Sequence, residues 1–248
     1  SQPCLVGSEM CIRDRVWGTD GFRAGVAAWI GERYPGARLD PEREIMVLNG
    51  SREGLFHAVM AAALDPKRAA RRLVAMPNPF YPPYLASAIA AGKQPLLMPS
   101  SPATGFLPDL DALSPGTLDD CLAMFLCSPS NPEGAVASAD YLDKAIRLAR
   151  RHGFLLFADE CYSEIYFGER PAGALGVAAA TGSLDNVIVF NSLSKRSNLA
   201  GLRIGFVAGD RAFMATLATF RNVVCPQVPL PHQAVAEAAY ADEAHVVE

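Results

Sequence analysis

The sequence predicts an α/β fold of three layers, in which a mostly parallel β-sheet lies between helices on both faces. Short apolar runs such as "CLAMFLC" and "FLLFA" recur along the chain, as expected for strands that are buried on both faces. Stretches with helical spacing of apolar residues separate these runs, an alternation typical of parallel sheets. The 248 residues, 50% of them hydrophobic, suffice for one sizeable α/β domain or two small ones.

The predicted elements follow one another along the chain. Helices are predicted in "FRAGVAAWIGERY", after Gly50-Ser51, in "YLASAIAAGKQ" and in "SADYLDKAIRLARRHG", where Ser138 is the expected N-cap and Gly153 the expected stop. The run "EIMVL" indicates a short strand or turn, and strands are predicted in "RRLVAM", "QPLLM", "CLAMFLC", "FLLFA", "NVIVF" and "RIGFVAG". The C-terminal stretch "CPQVPLPHQAVAEAAYADEAHVVE" predicts a loop and then a helix whose apolar positions have little to pack on.

Composition excludes several classes of protein. The net charge of −4 is mild and gives no reason to expect nucleic acid or an anionic membrane as partner. No apolar run approaches the roughly 18 residues that a membrane helix needs. Six scattered cysteines without a CxxC pair predict reduced thiols in a cytoplasmic protein. No metal site is predicted, and four histidines match no motif and are interpreted as structural or surface residues: His57, His152, His232 and His245.

The first 15 residues differ from the rest of the chain. Their sequence has neither helical period, strand alternation nor turn chemistry, and it lacks the basic start of a signal peptide. Residues 5–15 resemble the translation of a sequencing adapter. Residues 1–15 are therefore predicted to be a non-native tail, and residues 16–248 a single domain.

Polar side chains follow five of the predicted strands at the point where each strand ends. In open parallel sheets, ligands bind beyond the carboxyl ends of the strands, so we expect these side chains to meet in one cleft. Each alone has an ordinary explanation, such as a helix cap, a turn or a solvated lysine, but five in order favour a site. The strand ends supply Gly50, Ser51, Arg52, Asn78, Phe80, Tyr81, Asn131, Asp159, Tyr162, Ser192, Ser194 and Lys195.

These residue types suit a phosphorylated, nitrogen-containing aromatic cofactor. Backbone N–H groups at Gly50-Ser51, completed by Arg203 and a serine hydroxyl, would hold a phosphate. The Asp159 carboxylate could keep a pyridine nitrogen protonated. The Lys195 amine could react with an aldehyde.

The same motifs resemble those of class I/II aminotransferases of pyridoxal-phosphate fold type I. "SLSKRSNLAGLRIGF" resembles their lysine signature, "NPEG" their Asn-Pro-x-Gly, "DECYSEIYF" their Asp-x-x-Tyr segment and "PNPFYPPY" their aromatic stacking loop. The resemblance implies pyridoxal 5′-phosphate as cofactor, amino acids and 2-oxo acids as substrates, and a homodimer for the parent protein.

The resemblance also implies a role for each site residue. Lys195 would carry the cofactor and shuttle a proton, Asp159 would pair with the pyridine nitrogen, and Tyr162 with Asn131 would contact the ring hydroxyl. Tyr81 would stack on the ring. Phosphate contacts are implied for Gly50, Ser51, Arg52, Ser192 and Arg203, with Ser194 close by.

A narrower resemblance is to the succinyldiaminopimelate aminotransferases. It is carried by "LNGSREGLF", "PNPFY", "GFLPDLDAL", "DECYSEIYF", "SLSKRSN" and "DEAHV". It implies transfer of the amino group of glutamate to N-succinyl-2-amino-6-oxopimelate in lysine biosynthesis. It also implies a cofactor-binding large domain truncated at both ends, without the small domain that holds the substrate-carboxylate arginine, and therefore inactive by itself.

Three alternatives share the same cofactor apparatus. The first is an aminotransferase for aspartate, alanine, aromatic amino acids or methionine. The second is a carbon–sulfur lyase. The third is a transcriptional regulator that contains an aminotransferase-like domain.

Overall fold

A single seven-stranded sheet forms the centre of the molecule. The computed structural model describes residues 16–225 and 227–247, so the predicted N-terminal tail lies outside the described residues. The strands are β1 Ile45–Leu48, β2 Leu73–Asn78, β3 Gln94–Pro99, β4 Cys121–Cys127, β5 Leu155–Asp159, β6 Val187–Ser192 and β7 Gly205–Gly209. Their order is β1-β7-β6-β5-β4-β2-β3. Strands β2 to β6 are parallel, whereas β7 is antiparallel to both β6 and β1.

Helices connect most of the strands. Within the described residues they are α1 Asp20–Arg33, α2 Ser51–Leu64, α3 Pro82–Ala90, α4 Pro115–Asp119, α5 Ala139–His152, α6 Ala174–Ala180, α7 Leu193–Arg196, α8 Arg211–Val224, α9 Leu230–Ala241 and α10 Ala244–Val247. Short 3₁₀ turns occur at Pro102–Thr104, Leu110–Ala112 and Ala200–Leu202. The predicted caps of α5 are confirmed: the Ser138 side chain accepts a hydrogen bond from the Tyr141 N–H, and Gly153 ends the helix in the left-handed conformation.

The core consists of two hydrophobic clusters, one on each face of the sheet. Leu155 and Phe157 of β5 lie in one cluster, and Leu156 and Ala158 lie in the other. Successive side chains of a strand point to opposite faces, so a strand covered on both sides must be apolar throughout. This explains the continuous apolar runs in the sequence and confirms the three-layer α/β architecture.

The C-terminal helix α9 packs better than the sequence predicts. Its Ala236 and Tyr240 are buried, and the Tyr240 ring lies 5.6 Å from the Trp29 ring and 5.7 Å from the Phe206 ring. The expectation that its apolar positions have little to pack on is therefore wrong. Helix α9 packs against α1, and Trp29 of α1 contacts its apolar face. The sequence pattern did not identify this neighbour.

One edge of the sheet collects the chain segments that carry the predicted site. The carboxyl ends of the parallel strands β4, β5 and β6 point the same way, and so does the end of β1, because two antiparallel pairings separate it from β6. β7 begins at this same edge. Among the described residues, no helix combines the length and apolarity required to cross a membrane.

Candidate active site

A cleft of about 510 Å³ opens at this edge of the sheet. It is large enough for a small-molecule ligand. Ten of the eleven predicted site residues line it, and Gly50 lies directly beside it. The predicted lining residues are Ser51, Arg52, Tyr81, Asn131, Asp159, Tyr162, Ser192, Ser194, Lys195 and Arg203, and the cleft also includes Tyr84, Cys127, Cys161 and Ala200.

The N-terminus of helix α2 forms one wall of the cleft. Its N-cap is Gly50, with φ +83°, and no side chain caps this end of the helix. A Cβ atom on Gly50 would clash with the Arg203 guanidinium, so glycine permits the close approach of this arginine. Uncapped N–H groups, the helix dipole and a guanidinium together favour an anion at this place.

Asp159 ends β5 at the floor of the cleft. The residue is 5% exposed, and no ion pair to it is found among residues 16–225 and 227–247. Burial raises the pKa of its carboxyl, whereas hydrogen bonds from Tyr84 and Cys161 lower it. A positive charge placed beside Asp159 would offset the cost of burying its carboxylate.

Tyr84 holds this carboxylate and was not identified from the sequence. Its hydroxyl donates a hydrogen bond of 2.6 Å to Asp159 Oδ2. The Tyr84 ring is fully buried and is stacked on Phe125, with ring centroids 4.2 Å apart. Burial and the neighbouring Asp159 raise the pKa of the Tyr84 phenol well above its usual value, so the hydroxyl remains a donor.

Cys161 is a second residue that sequence reasoning missed. Its backbone N–H donates to Asp159 Oδ1 at 3.3 Å, and its thiol donates to Ser51 Oγ at 3.0 Å. It thus connects the floor of the cleft to the helix α2 wall. Burial raises the pKa of this thiol, so we assign Cys161 a hydrogen-bonding role and not a nucleophilic one.

Lys195 lies on the one-turn helix α7, which follows β6 directly. Ser192 caps this helix, since its Oγ accepts the Ser194 N–H at 3.1 Å and its hydroxyl donates to the Ile204 carbonyl at the same distance. Lys195 is exposed to the cleft, and its Nζ lies 5.8 Å from the centre of the Tyr162 ring. The amine is therefore accessible from the cleft.

The remaining predicted residues lie around the mouth of the cleft. Asn131 Nδ2 donates to the Tyr162 hydroxyl at 3.4 Å, and partial burial raises the pKa of that phenol. Arg52 Nε donates to the Tyr81 hydroxyl at 2.8 Å. The Arg52 side chain thus orients the ring that is predicted to stack on a ligand.

One histidine lies in an ion-pair network behind helix α2. His57, Glu53 and Cys225 place donor atoms within 4.8 Å of one another, a spacing that could accommodate a metal ion. Arg221, however, forms an ion pair with Glu53. Burial raises the pKa of Glu53, but the hydrogen bond with His57 and the charge of Arg221 outweigh it and lower this pKa to about 2. We interpret the cluster as a link between α2 and α8.

The cleft matches the chemistry of pyridoxal 5′-phosphate on three observations. Asp159 is a buried carboxylate that has no cationic partner in the described part of the chain, which suits a protonated pyridine nitrogen. The uncapped N-terminus of α2 lies next to Arg203, which suits a phosphate. Lys195 provides the amine that an aldehyde requires.

Fold and cleft together define a large domain of the fold-type-I kind. Residues 16–248 match the family model of class I and II aminotransferases, and the chain belongs to this family. The family is dependent on pyridoxal phosphate.

Several curated proteins that are similar to this chain are named LL-diaminopimelate aminotransferase. The chain is 38% identical over 206 residues to the LL-diaminopimelate aminotransferase of Desulforudis audaxviator, covering 83% of this chain and 50% of that protein. The LL-diaminopimelate aminotransferase of Syntrophobacter fumaroxidans is 35% identical, again over 83% of this chain and 51% of the relative. The chain thus spans about half the length of the curated relatives it matches.

Solved structures confirm the fold. An aminotransferase of Neisseria meningitidis superposes with a TM-score of 0.87 at 35% identity, covering 98% of this chain and 62% of the other. A probable N-succinyldiaminopimelate aminotransferase of Thermus thermophilus superposes with a TM-score of 0.82 at 34% identity, covering 92% of this chain and 59% of the other.

Proposed function

We propose that this chain binds pyridoxal 5′-phosphate in the cleft and forms the cofactor-binding domain of an aminotransferase. The observation that carries the proposal is the buried Asp159 carboxylate, which lacks a cationic partner among the described residues and shares its cleft with Lys195. A structural aspartate would instead be expected to have its charge neutralised within the protein.

Each side of the cleft would bind one part of the cofactor. Asp159 would pair with the pyridine nitrogen, while Asn131 and Tyr162 would hydrogen-bond the ring hydroxyl. Tyr81 would stack on the ring face. The phosphate would be held by Ser51, the backbone of Gly50 and Arg52, Ser192 and Arg203, with Ser194 adjacent through its 2.9 Å contact with Ser192.

Lys195 would perform two tasks. Its Nζ would attach covalently to the cofactor aldehyde in the resting protein. As a free amine, Lys195 would act as the general base and acid that takes and returns the proton of the substrate Cα. When bound, the cofactor supplies an electron sink for the charge that develops at the substrate Cα. Asp159 supports this sink by keeping the ring nitrogen protonated.

The proposed substrates are diaminopimelate-type amino acids and 2-oxo acids. Curated relatives are named LL-diaminopimelate aminotransferase, and one structural neighbour is a probable N-succinyldiaminopimelate aminotransferase. The narrow resemblance of the sequence motifs favours the succinylated acceptor. A homodimer and a cytoplasmic location stay predictions of the sequence.

Cofactor attachment is tested on the chain itself. Titration with pyridoxal phosphate should produce a visible absorbance band, and borohydride should fix the label on Lys195, located by peptide mapping. Lys195→Ala should abolish the label. Lys144→Ala is the matched control, because Lys144 pairs with Asp111 on the surface and should leave labelling unchanged. A label that persists elsewhere in Lys195→Ala would contradict the assignment.

Substrate choice is tested on the complete reading frame that encodes this chain. Amino transfer to 2-oxoglutarate should be faster from N-succinyl-LL-diaminopimelate than from LL-diaminopimelate, aspartate, alanine, phenylalanine or methionine. Asp159→Ala should retain phosphate anchoring yet lose on the order of 10³-fold in rate, which corresponds to about 4 kcal/mol of transition-state stabilisation. A preference for LL-diaminopimelate would reject the succinylated substrate while retaining the class of reaction.

A further inference from the structure

The residue after Lys195 is a buried arginine that the proposed chemistry does not use. Lys195 and Arg196 are consecutive on the one-turn helix α7, and the two side chains project in different directions. Lys195 is exposed in the cleft, whereas the Arg196 side chain is 1% exposed. A buried guanidinium is costly to desolvate unless its charge and its N–H groups are matched.

The protein surrounds Arg196 with two aromatic rings. Its Cζ lies 5.3 Å from the centre of the Trp29 ring and 5.1 Å from that of Tyr240. Trp29 belongs to α1 and Tyr240 to α9. Both distances lie within the range of a cation–π interaction, which is stronger when the cation is desolvated.

The C-terminal segment supplies two of the polar partners of Arg196, and the neighbouring Ser197 supplies a third. One terminal nitrogen of the guanidinium donates to the Ala239 carbonyl at 2.8 Å and to Ser197 Oγ at 3.1 Å. The other forms an ion pair with Glu243, just beyond α9. Removing either charge would leave the other less compensated, so the pair is sensitive to substitution.

The turn that carries Lys195 is held at its start by a hydrogen bond from the Leu193 N–H to the Ile204 carbonyl and by the buried Leu193 side chain. The N–H groups of Ser197 and Leu199 both donate to the Leu193 carbonyl at 3.1 Å, which closes the turn on itself. Its polar connection to the α9 segment, among the described residues, is made by the Arg196 side chain through Ala239 and Glu243. A change in the position of α9 would therefore act on the residue next to Lys195 in the chain.

We propose that Arg196 is a positioning residue that ties the turn bearing Lys195 to helix α9, so that the order of this turn and the docking of α9 are coupled. Its significance for catalysis rests on the proposed function, since it assumes that Lys195 carries the cofactor. Coupling of this kind is reciprocal: what fixes the turn stabilises the docking of α9, and the reverse.

Amide hydrogen exchange on the cofactor-free chain tests the coupling directly. Glu243→Gln removes the charge of the partner, and Arg196→Lys retains a cation but loses the planar fork. In both variants the amide hydrogens of Ser197 and Leu199 should exchange about tenfold faster than in the wild type, a change within the range usual for coupled sites. Arg170→Lys is the matched control, because Arg170 approaches the same Glu243 at 4.0 Å from a more exposed position and does not touch the turn. It should leave these two amides unchanged.

Faster exchange confined to α9, with Ser197 and Leu199 unchanged, would overturn the proposal, since Arg196 would then only anchor the helix. Unchanged exchange everywhere in both variants would overturn it as well. Pyridoxal phosphate binding is measured in parallel and should weaken about tenfold in Glu243→Gln and Arg196→Lys. If the wild-type chain shows no borohydride-fixed label on Lys195, the proposed function fails, while the exchange result still decides the coupling.

Discussion

Replacing Tyr84 with phenylalanine removes the hydroxyl that holds Asp159 and leaves the surrounding packing in place. This hydroxyl donates to Asp159 Oδ2 at 2.6 Å. The ring of Tyr84 is stacked on Phe125 at an angle of 10°, a contact that phenylalanine can keep. The variant therefore isolates one hydrogen bond to a buried carboxyl group.

The size of the effect should depend on pH. A hydrogen bond to a neutral acceptor contributes about 1 kcal/mol to the unfolding free energy, and one to a charged acceptor about 1.5–3 kcal/mol. Burial raises the folded-state pKa of Asp159 above its ordinary 3.8, so the carboxyl is protonated at low pH and ionises as pH rises through this raised pKa. The loss of stability in Tyr84→Phe should thus grow with pH, by on the order of 1–2 kcal/mol.

Urea unfolding of the cofactor-free chain, followed from the ordinary carboxyl pKa of 3.8 upward, measures this dependence. Tyr141→Phe is the matched control, because the Tyr141 hydroxyl donates to the uncharged Pro108 carbonyl at 2.8 Å. Its loss should be about 1 kcal/mol at every pH. Equal, pH-independent losses in both variants would refute the reasoning. The affinity for pyridoxal phosphate should also fall about tenfold in Tyr84→Phe, since about 1.4 kcal/mol of the interaction with the ring nitrogen is lost.

Two further substitutions test the electrostatics and the geometry of the same region. Glu160, the buried residue that follows Asp159, has its pKa raised to about 7 by burial. This group therefore contributes stability that is present below about pH 4.5 and is lost as pH rises through 7. Between pH 4.5 and pH 8 the wild-type chain should lose on the order of 3 kcal/mol of unfolding free energy through Glu160, and Glu160→Gln should not show this loss. Urea unfolding of variant and wild type measures the difference at each pH. A difference that does not change with pH would contradict this prediction. Gly50→Ala should lower the unfolding free energy by about 1 kcal/mol, because alanine disfavours the positive φ of this position. The added Cβ should also displace Arg203, so phosphate and pyridoxal phosphate should bind at least about tenfold more weakly. Gly182→Ala, which has φ +79° and open space around the position of a Cβ, should show the stability loss alone; equal binding by both variants would contradict the role of Gly50.

Sequence reasoning located the cleft because its chemistry follows buried strands. Asp159 and Ser192 end apolar runs, and Lys195 and Asn131 lie within four residues of such ends. A parallel sheet brings these ends to one edge, so their proximity follows from the strand pattern. Tyr84 was not predicted as a site residue. The string "PNPFYPPY" contains two tyrosines, and nothing in it shows that the first turn of α3 directs the Tyr84 side chain at Asp159.

Long-range pairing was the part that the sequence could not predict. The strand "RIGFVAG" is as apolar as its neighbours, so its antiparallel direction is not visible in its composition. The packing of α9 was misjudged for the same reason. Tyr240 is buried by Trp29, which lies more than two hundred residues earlier in the chain. Periodicity describes a local face and carries no information about the surface that covers it.

The position of β1 at the edge of the sheet has a consequence for the order in which the molecule assembles on the ribosome. Its four residues, Ile45–Leu48, pair with the β7 residues 205–208, and β7 is its one strand neighbour in the described sheet. At ~5–20 residues per second, β7 is synthesised about 8–30 s after β1. During that interval the fully apolar strand segment β1 has no strand to pair with. The parallel strands β5, which ends at Asp159, and β6, which precedes Lys195, can pair before β1 does, so the cleft wall that begins at Gly50 is fixed to the sheet after them.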